Sequence, residues 1–232
     1  MSGSDGYMDF TFDEGDDKVE RKSTRFKGKE GETYRVSFVW FDDDGKIRFI
    51  GCRRHYVQGV GYFLHKGPEF TAAAGGPPKQ AVATFIVVWP TNSAGQLNRE
   101  AFARGEGFEV KSWVFSAERY SQLKMQNAEF PLAEFDLVMR CKDTQYQKMD
   151  LSPCRESLFL KLRDSGNERG TAIAQGILDA VKSMEASLQT EMAHDLDIGK
   201  VREKMGGASP ASSVSGGAAE NVDGLLDDLL DD

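Results

Sequence analysis

The sequence predicts a mainly β fold with helices, an α+β protein built on a small Greek-key barrel core. Three observations lead there. Segments of alternating apolar and polar residues recur through the first two thirds of the chain, glycines interrupt one of them, and a long stretch near the end carries the period of an amphipathic helix. A β-sandwich is the other arrangement that these elements allow.

Residues 32–40, ETYRVSFVW, set Tyr34, Val36, Phe38 and Trp40 on one face of a first strand. An Asp-Gly turn, FDDDGK, leads into KIRFIGCRRHYV, and the two segments read as a hairpin. Gly59 and Gly61 mark a bend in VGYFLHKG, and TAAAGGPPKQ reads as a loop. AVATFIVVW is the most apolar run, a buried central strand ended by Pro90, and TNSAGQLNREAFARGEG follows as a polar connector. FEVKSWVFS alternates again, AERYSQLKMQNAEF is helical, and FDLVMRCKD and TQYQKMDLS read as strand, turn and strand. SLFLKLRD fits a last strand or a short helix. From Thr171 to His194, Ile173, Ile177, Val181, Met184 and Leu188 share one side of a helix.

The formal net charge is −8, from 29 Lys and Arg against 37 Asp and Glu, but it is unevenly spread. Residues 1–17 hold Asp5, Asp9, Asp13, Glu14, Asp16 and Asp17 and no base; residues 205–232 hold Glu220, Asp223, Asp227, Asp228, Asp231 and Asp232 and no base. Without those acids the body is basic. The chain therefore divides into a disordered acidic leader (1–17), a basic arm (18–30), a folded core (31–165), a helical segment (166–204), a flexible linker (205–220) and an acidic, leucine-paired tail (221–232). No apolar run approaches a membrane span, the first residues lack a signal-peptide pattern, and three cysteines suit a reducing compartment, so the expected location is cytoplasmic, with no membrane partner.

Enzyme signatures are missing: no Walker-type loop, no G-x-S-x-G, no H-E-x-x-H. The expectation is a non-enzyme. Asp42, Asp43 and Asp44 would serve a metal-dependent nuclease, but they sit at a glycine-ended turn, where a solvated loop is the plainer reading. Cys52-x-x-His55 has zinc-ligand spacing, with His65 the nearest third donor and Cys141 and Cys154 far off. What recurs is aromatics interleaved with bases: Arg53, Arg54, Tyr56, Tyr62 and Lys66; Lys111 and Trp113; Arg140, Lys142, Tyr146 and Lys148. Cations track phosphates while aromatic faces stack bases of any identity, the chemistry of a sequence-tolerant single-strand site. Lys111, Trp113 and Phe115 share strand parity against Val110 and Val114, and Lys142, Tyr146 and Lys148 share parity likewise, so both sets are read as open platforms. The tail would occupy this basic surface when no polyanion is bound. The rival reading is a protein–protein adaptor with a β core and an acidic, leucine-rich linear motif.

With these residues in view, the chain resembles the single-stranded DNA-binding (helix-destabilising) proteins of T-even-like bacteriophages. Arg21-Lys22-Ser23-Thr24 is similar to the family's basic–hydroxyl motif, although here it follows an acidic leader. The order AVATFIVVWP, GFEVKSWVF, ERYSQL, FDLVMRCKDTQYQKMD is similar to the second half of its OB-fold core, and LLDDLLDD to its acidic tail. The resemblance implies an OB-type barrel that coats single strands in replication, recombination and repair. It implies self-association on DNA through Arg21, Lys22, Ser23 and Thr24. It implies docking of replication and recombination proteins on Asp227, Asp228, Leu229, Leu230, Asp231 and Asp232, and the cytoplasm of a host cell if the gene is a phage's. The family holds zinc through one His and three Cys; residues 51–68 offer Cys52, His55 and His65, so no cofactor is expected.

Overall fold

The computed structural model describes residues 24–92, 95–143 and 148–207. Among these the protein is α+β, with seven strands in one sheet and six helices. The strands are β1 (Thr33–Phe38), β2 (Ile50–Val57), β3 (Gly61–Leu64), β4 (Lys79–Trp89), β5 (Glu109–Ser116), β6 (Leu137–Cys141) and β7 (Met149–Pro153). The helices are α1 (Pro68–Ala74), α2 (Arg99–Arg104), α3 (Ala117–Glu129), α4 (Leu158–Arg163), α5 (Glu168–Met192) and α6 (Ile198–Gly207). The sheet order is β3-β2-β4-β1-β6-β7, with β5 also on β4. None of the described helices is long and apolar enough to cross a membrane. Among the described residues the chain falls into two compact units: 24–51 with 82–191, and 52–81 with 192–207.

In the first unit β4 is the hub, as its unbroken apolar run demands. β1 lies antiparallel on it, Val36 opposite Val88 and Phe38 opposite Ile86, and on β6, Tyr34 opposite Met139. Period-two alternation sends Val36 and Phe38 into one core with Phe26, Ile86, Trp113, Leu123, Leu137 and Met139, and Tyr34 packs against it. Arg35 and Ser37 take the opposite face. There Arg35 Nε donates to Asp136 at 2.8 Å, Ser37 Oγ donates to the same carboxylate, and Trp89 Nε1 donates to Ser37 Oγ at 2.7 Å. Helix α5 buries Ala174, Ile177, Val181 and Leu188, at helical spacing, while Ile173 and Met184 are half-buried. Short helices start on side-chain caps: Asn98 accepts from Ala101 N at 3.1 Å, and Ser157 from Leu160 N at 3.3 Å. Gly105 ends α2 at φ 65°, and a Cβ there would lie 2.6 Å from Ile173 Cδ1, so only glycine lets α2 stop so near that side chain. Helix α3 lies at β7, the last strand of the sheet. Its Arg119 and Gln126 side chains donate to the Met149 and Leu151 carbonyls, each at 3.0 Å.

In the second unit β2 and β3 form a hairpin, Tyr56 opposite Tyr62 and His55 opposite Phe63. Val60, Phe63, Phe70 and Val201 make its core, with Leu196, Ile198 and Met205 against them. His194 exchanges backbone hydrogen bonds with β3, donating to Tyr62 O and accepting from Leu64 N.

Several expectations change. The expected β1–β2 hairpin is reduced to a Phe41–Ile47 bridge, with Arg48 N donating to Trp40 O and Asp42 N to Lys46 O. β2 pairs instead with β3, Arg54 opposite Leu64 and Tyr56 opposite Tyr62. Helix α1 runs four residues into the expected loop, the expected connector contains α2, SLFLKLRD is the helix α4, and α6 runs three residues into the expected linker, the remainder of which lies outside the described residues. The acidic leader and tail also lie outside them.

Asp136 is fully buried and is the partner of Arg35, whose side chain is 15% exposed. Asp136→Ala is expected to lower the unfolding free energy by about 3 kcal/mol, because it leaves a largely buried guanidinium without that carboxylate. Urea unfolding reads this directly; a loss below about 1 kcal/mol would show that the pair is not an anchor.

Candidate nucleic-acid interface

Two surfaces, one in each unit, gather cations and aromatic rings. In the first unit the described end of the basic arm lies against β5 through an isolated bridge at Arg25. Phe26 N donates to Ser112 O at 2.7 Å, and Ser112 N to Thr24 O at 2.9 Å, a parallel bridge on β5. Alternation along the arm turns Phe26 and Gly28 inward and leaves Lys27 and Lys29 exposed. Phe26 meets Tyr34 edge-on at 5.2 Å and Trp113 at 6.3 Å. A Cβ on Gly28 would lie 2.2 Å from Cys141 Sγ, so the arm's close approach requires glycine. Thr24, the last residue of the basic–hydroxyl motif, donates from Oγ1 to Glu191 Oε1 at 2.9 Å, and Ser112 Oγ donates to the other Glu191 oxygen.

The arm and β5 border an open cleft of about 360 Å³, lined by the bases Arg25, Lys27, Lys29 and Lys111, the acids Glu32 and Glu109, and the apolar Phe26, Tyr34 and Val88. Lys111 pairs with Glu109 at 3.1 Å, and Lys29 with Glu32 at 3.9 Å. Tyr34 donates from its hydroxyl to Glu32 and accepts from Lys29 N at 2.9 Å. Burial, then the bond to Glu32, pushes its phenol far above the ordinary value, so the ring stays neutral.

In the second unit the cations and rings lie on the β2–β3 hairpin. Tyr56 and Tyr62 are 60% and 39% exposed, with ring centroids 4.9 Å apart and tilted by 52°. Arg54 lies with Cζ 3.8 Å from the Tyr62 centroid and donates to Met192 O at 2.5 Å. Arg53 is exposed and of opposite strand parity; Lys66 is paired with Asp195.

The platform expected on β5 is corrected. Lys111, Trp113 and Phe115 do share a face, but it is the core face: Trp113 is 4% exposed, 4.6 Å from Phe115 and 6.4 Å from Phe38. Only Lys111, at the strand's start, reaches the cleft. Arg140 has the parity opposite to the buried Met139 and Cys141, so it stands away from the core that Lys111 borders. Lys142 pairs with Asp150 at 2.7 Å, and Lys148 is exposed. Tyr146, Arg21, Lys22, Ser23 and the tail residues 227–232 lie outside the described residues. Sequence reasoning missed Arg25, Lys27, Lys29 and Tyr34 as one group; the signal was the Phe–Gly alternation of RFKGK, which turns three bases outward together.

The zinc candidates do not converge. His55 Nε2 and His65 Nδ1 are hydrogen-bonded to each other at 3.0 Å, while Cys52 has the opposite parity on β2. No three His, Cys, Asp or Glu among the described residues are grouped to hold a metal. Asp42 Oδ1 accepts from the amides of Asp44 and Lys46 at 3.0 and 2.8 Å, so this carboxylate closes its own turn.

Gly28→Ala is expected to loosen the arm, and Cys141→Ala in the same chain to restore it by removing the sulfur; amide exchange at Phe26 and Ser112 reads both. Burial, then His65 and Arg53, lowers the His55 pKa below the ordinary 6.5. Between those two values the unfolded chain binds the extra proton, so stability is expected to fall as pH drops below 6.5, by up to about 1.4 kcal/mol per pH unit. His55→Gln should flatten that part of the melting-temperature profile. No protein-family model matches the chain, and no curated protein matches it.

Proposed function

We propose that the protein is a sequence-tolerant single-stranded DNA-binding protein of OB type, without a catalytic step, that coats strands in replication, recombination and repair. The observation that carries this reading is the exposed Tyr56–Tyr62 pair beside Arg54 on one hairpin face, rings offered to solvent where a core would hide them. The cleft of Arg25, Lys27, Lys29 and Lys111 supports it as a phosphate track in the first unit. The OB-type assignment is supported by β4, which serves β1, β2 and β5, and by the single helix α3 between β5 and β6. On the same reading the acidic tail recruits partner proteins and the Arg21–Thr24 motif joins neighbours on the strand, as the resemblance to the T-even-like phage proteins implies.

An adaptor is the second reading. It is favoured by Met125, 73% exposed on α3, and Phe130 just beyond it, 43% exposed.

All three tryptophans are buried, so binding is better read by anisotropy of a labelled oligo(dT) than by tryptophan quenching. The expected result is tight binding at low salt, weakening with salt, and little binding of duplex. Lys27→Glu with Lys29→Glu should weaken binding at least about tenfold and flatten the salt slope by about 0.7 for each phosphate left without its cation. No binding of the unaltered chain at low salt would overturn the proposal and leave the adaptor reading.

A further inference from the structure

We infer that Arg54 is a positioning residue that props one base-stacking platform, with Tyr56 as its outer face, and is not a phosphate ligand; this rests on the single-strand-binding reading above. By composition Arg53 and Arg54 are alike. Their surroundings are not. Arg53 is exposed on one strand parity. Arg54 has the other: Nη1 donates to the Met192 carbonyl at 2.5 Å, and Cζ lies 3.8 Å from the Tyr62 ring centre. The hydrogen bond to Met192 holds the guanidinium, and the guanidinium covers one face of Tyr62.

Tyr62 in turn meets Tyr56 across the hairpin register, ring centroids 4.9 Å apart. A base slotted between two rings would hold them apart by about twice the 3.4 Å stacking rise. The pair is too close for that, so a base stacks on the outer side of Tyr56, the more exposed ring at 60% against 39%. The order is carbonyl, guanidinium, Tyr62, Tyr56, base. Each member holds the next, which lowers the ordering cost when the base arrives. A lysine would keep the charge of Arg54 but has neither the plane nor the fork.

The test uses the full chain with labelled oligo(dT) and the same oligomer carrying 2-aminopurine. Arg54→Lys is expected to weaken binding about fivefold with less quenching of 2-aminopurine at saturation, and Arg54→Gln, which removes the charge, to leave the salt slope unchanged. Lys182→Arg, on the exposed side of α5, should change neither affinity nor quenching. Tyr56→Leu should weaken binding about tenfold and remove the quenching. In a Tyr62→Leu background, Arg54→Lys should have no further effect. Wild-type affinity and quenching in Arg54→Lys, a flatter salt slope in Arg54→Gln, or an undiminished loss in the Tyr62→Leu background would each overturn the assignment. Should Arg54→Lys fail to fold, Tyr62→Leu alone decides: saturated quenching must fall, and wild-type quenching sinks the platform. Failure of the unaltered chain to bind oligo(dT) refutes the single-strand reading itself, whereas normal binding with a neutral Arg54→Lys refutes only this inference.

Discussion

A carboxylate with no access to water, Asp136, is the constraint on which the first unit depends. An unpaired charge there would cost several kcal/mol. Instead it accepts from Arg35 Nε, from Ser37 Oγ and from the Leu158 amide at 3.2 Å. Its own backbone completes the arrangement: the amide donates to Glu156 O and the carbonyl accepts from Cys154 N. Burial still raises its pKa, opposed by Ser37 and Arg35. The donors come from β1 and from the start of α4, and Trp89 of β4 reaches the same group through Ser37. A one-residue slip of β1 would turn Arg35 and Ser37 into the apolar core and Val36 away from it. The ion pair thus fixes register, and register in turn decides which side of β1 carries Tyr34 toward the cleft.

Parity and burial are separate facts, and β5 shows the difference. Strand alternation correctly grouped Lys111, Trp113 and Phe115. It could not say which side was covered, because the cover comes from Phe26, far away in sequence and tied to β5 through Ser112. The β2–β3 hairpin is the converse. There Phe63 and His55 fill the inner side, and the tyrosines are left outside with Arg54.

The same distinction governs what was legible. The unbroken apolar run of β4, the alternation of β1 and β5 and the long period of α5 are local patterns, and each element formed where its pattern lay. Helices α1 and α2 are at most two turns long and carry too few apolar positions to show a period; they are defined by their ends, Pro68 and Gly75, Asn98 and Gly105. The pairing partner of β2 is a long-range choice that an Asp-Gly turn does not settle. Of the candidate site, Arg54, Tyr56, Tyr62 and Lys111 were legible because aromatic–basic interleaving is local. The cleft bases of the arm were legible only as a block, since their common side depends on where Phe26 and Gly28 are anchored.

The contact between α3 and β7 carries a consequence for crowding. A terminal strand ordinarily offers its backbone to any passing strand, a hazard that would grow if, on the proposed reading, many copies lined up on one polymer. Here Arg119 and Gln126 already occupy two carbonyls of the last strand. Copies packed shoulder to shoulder would have to displace a helix before they could zip together there, so dense packing need not seed fibrils from this side.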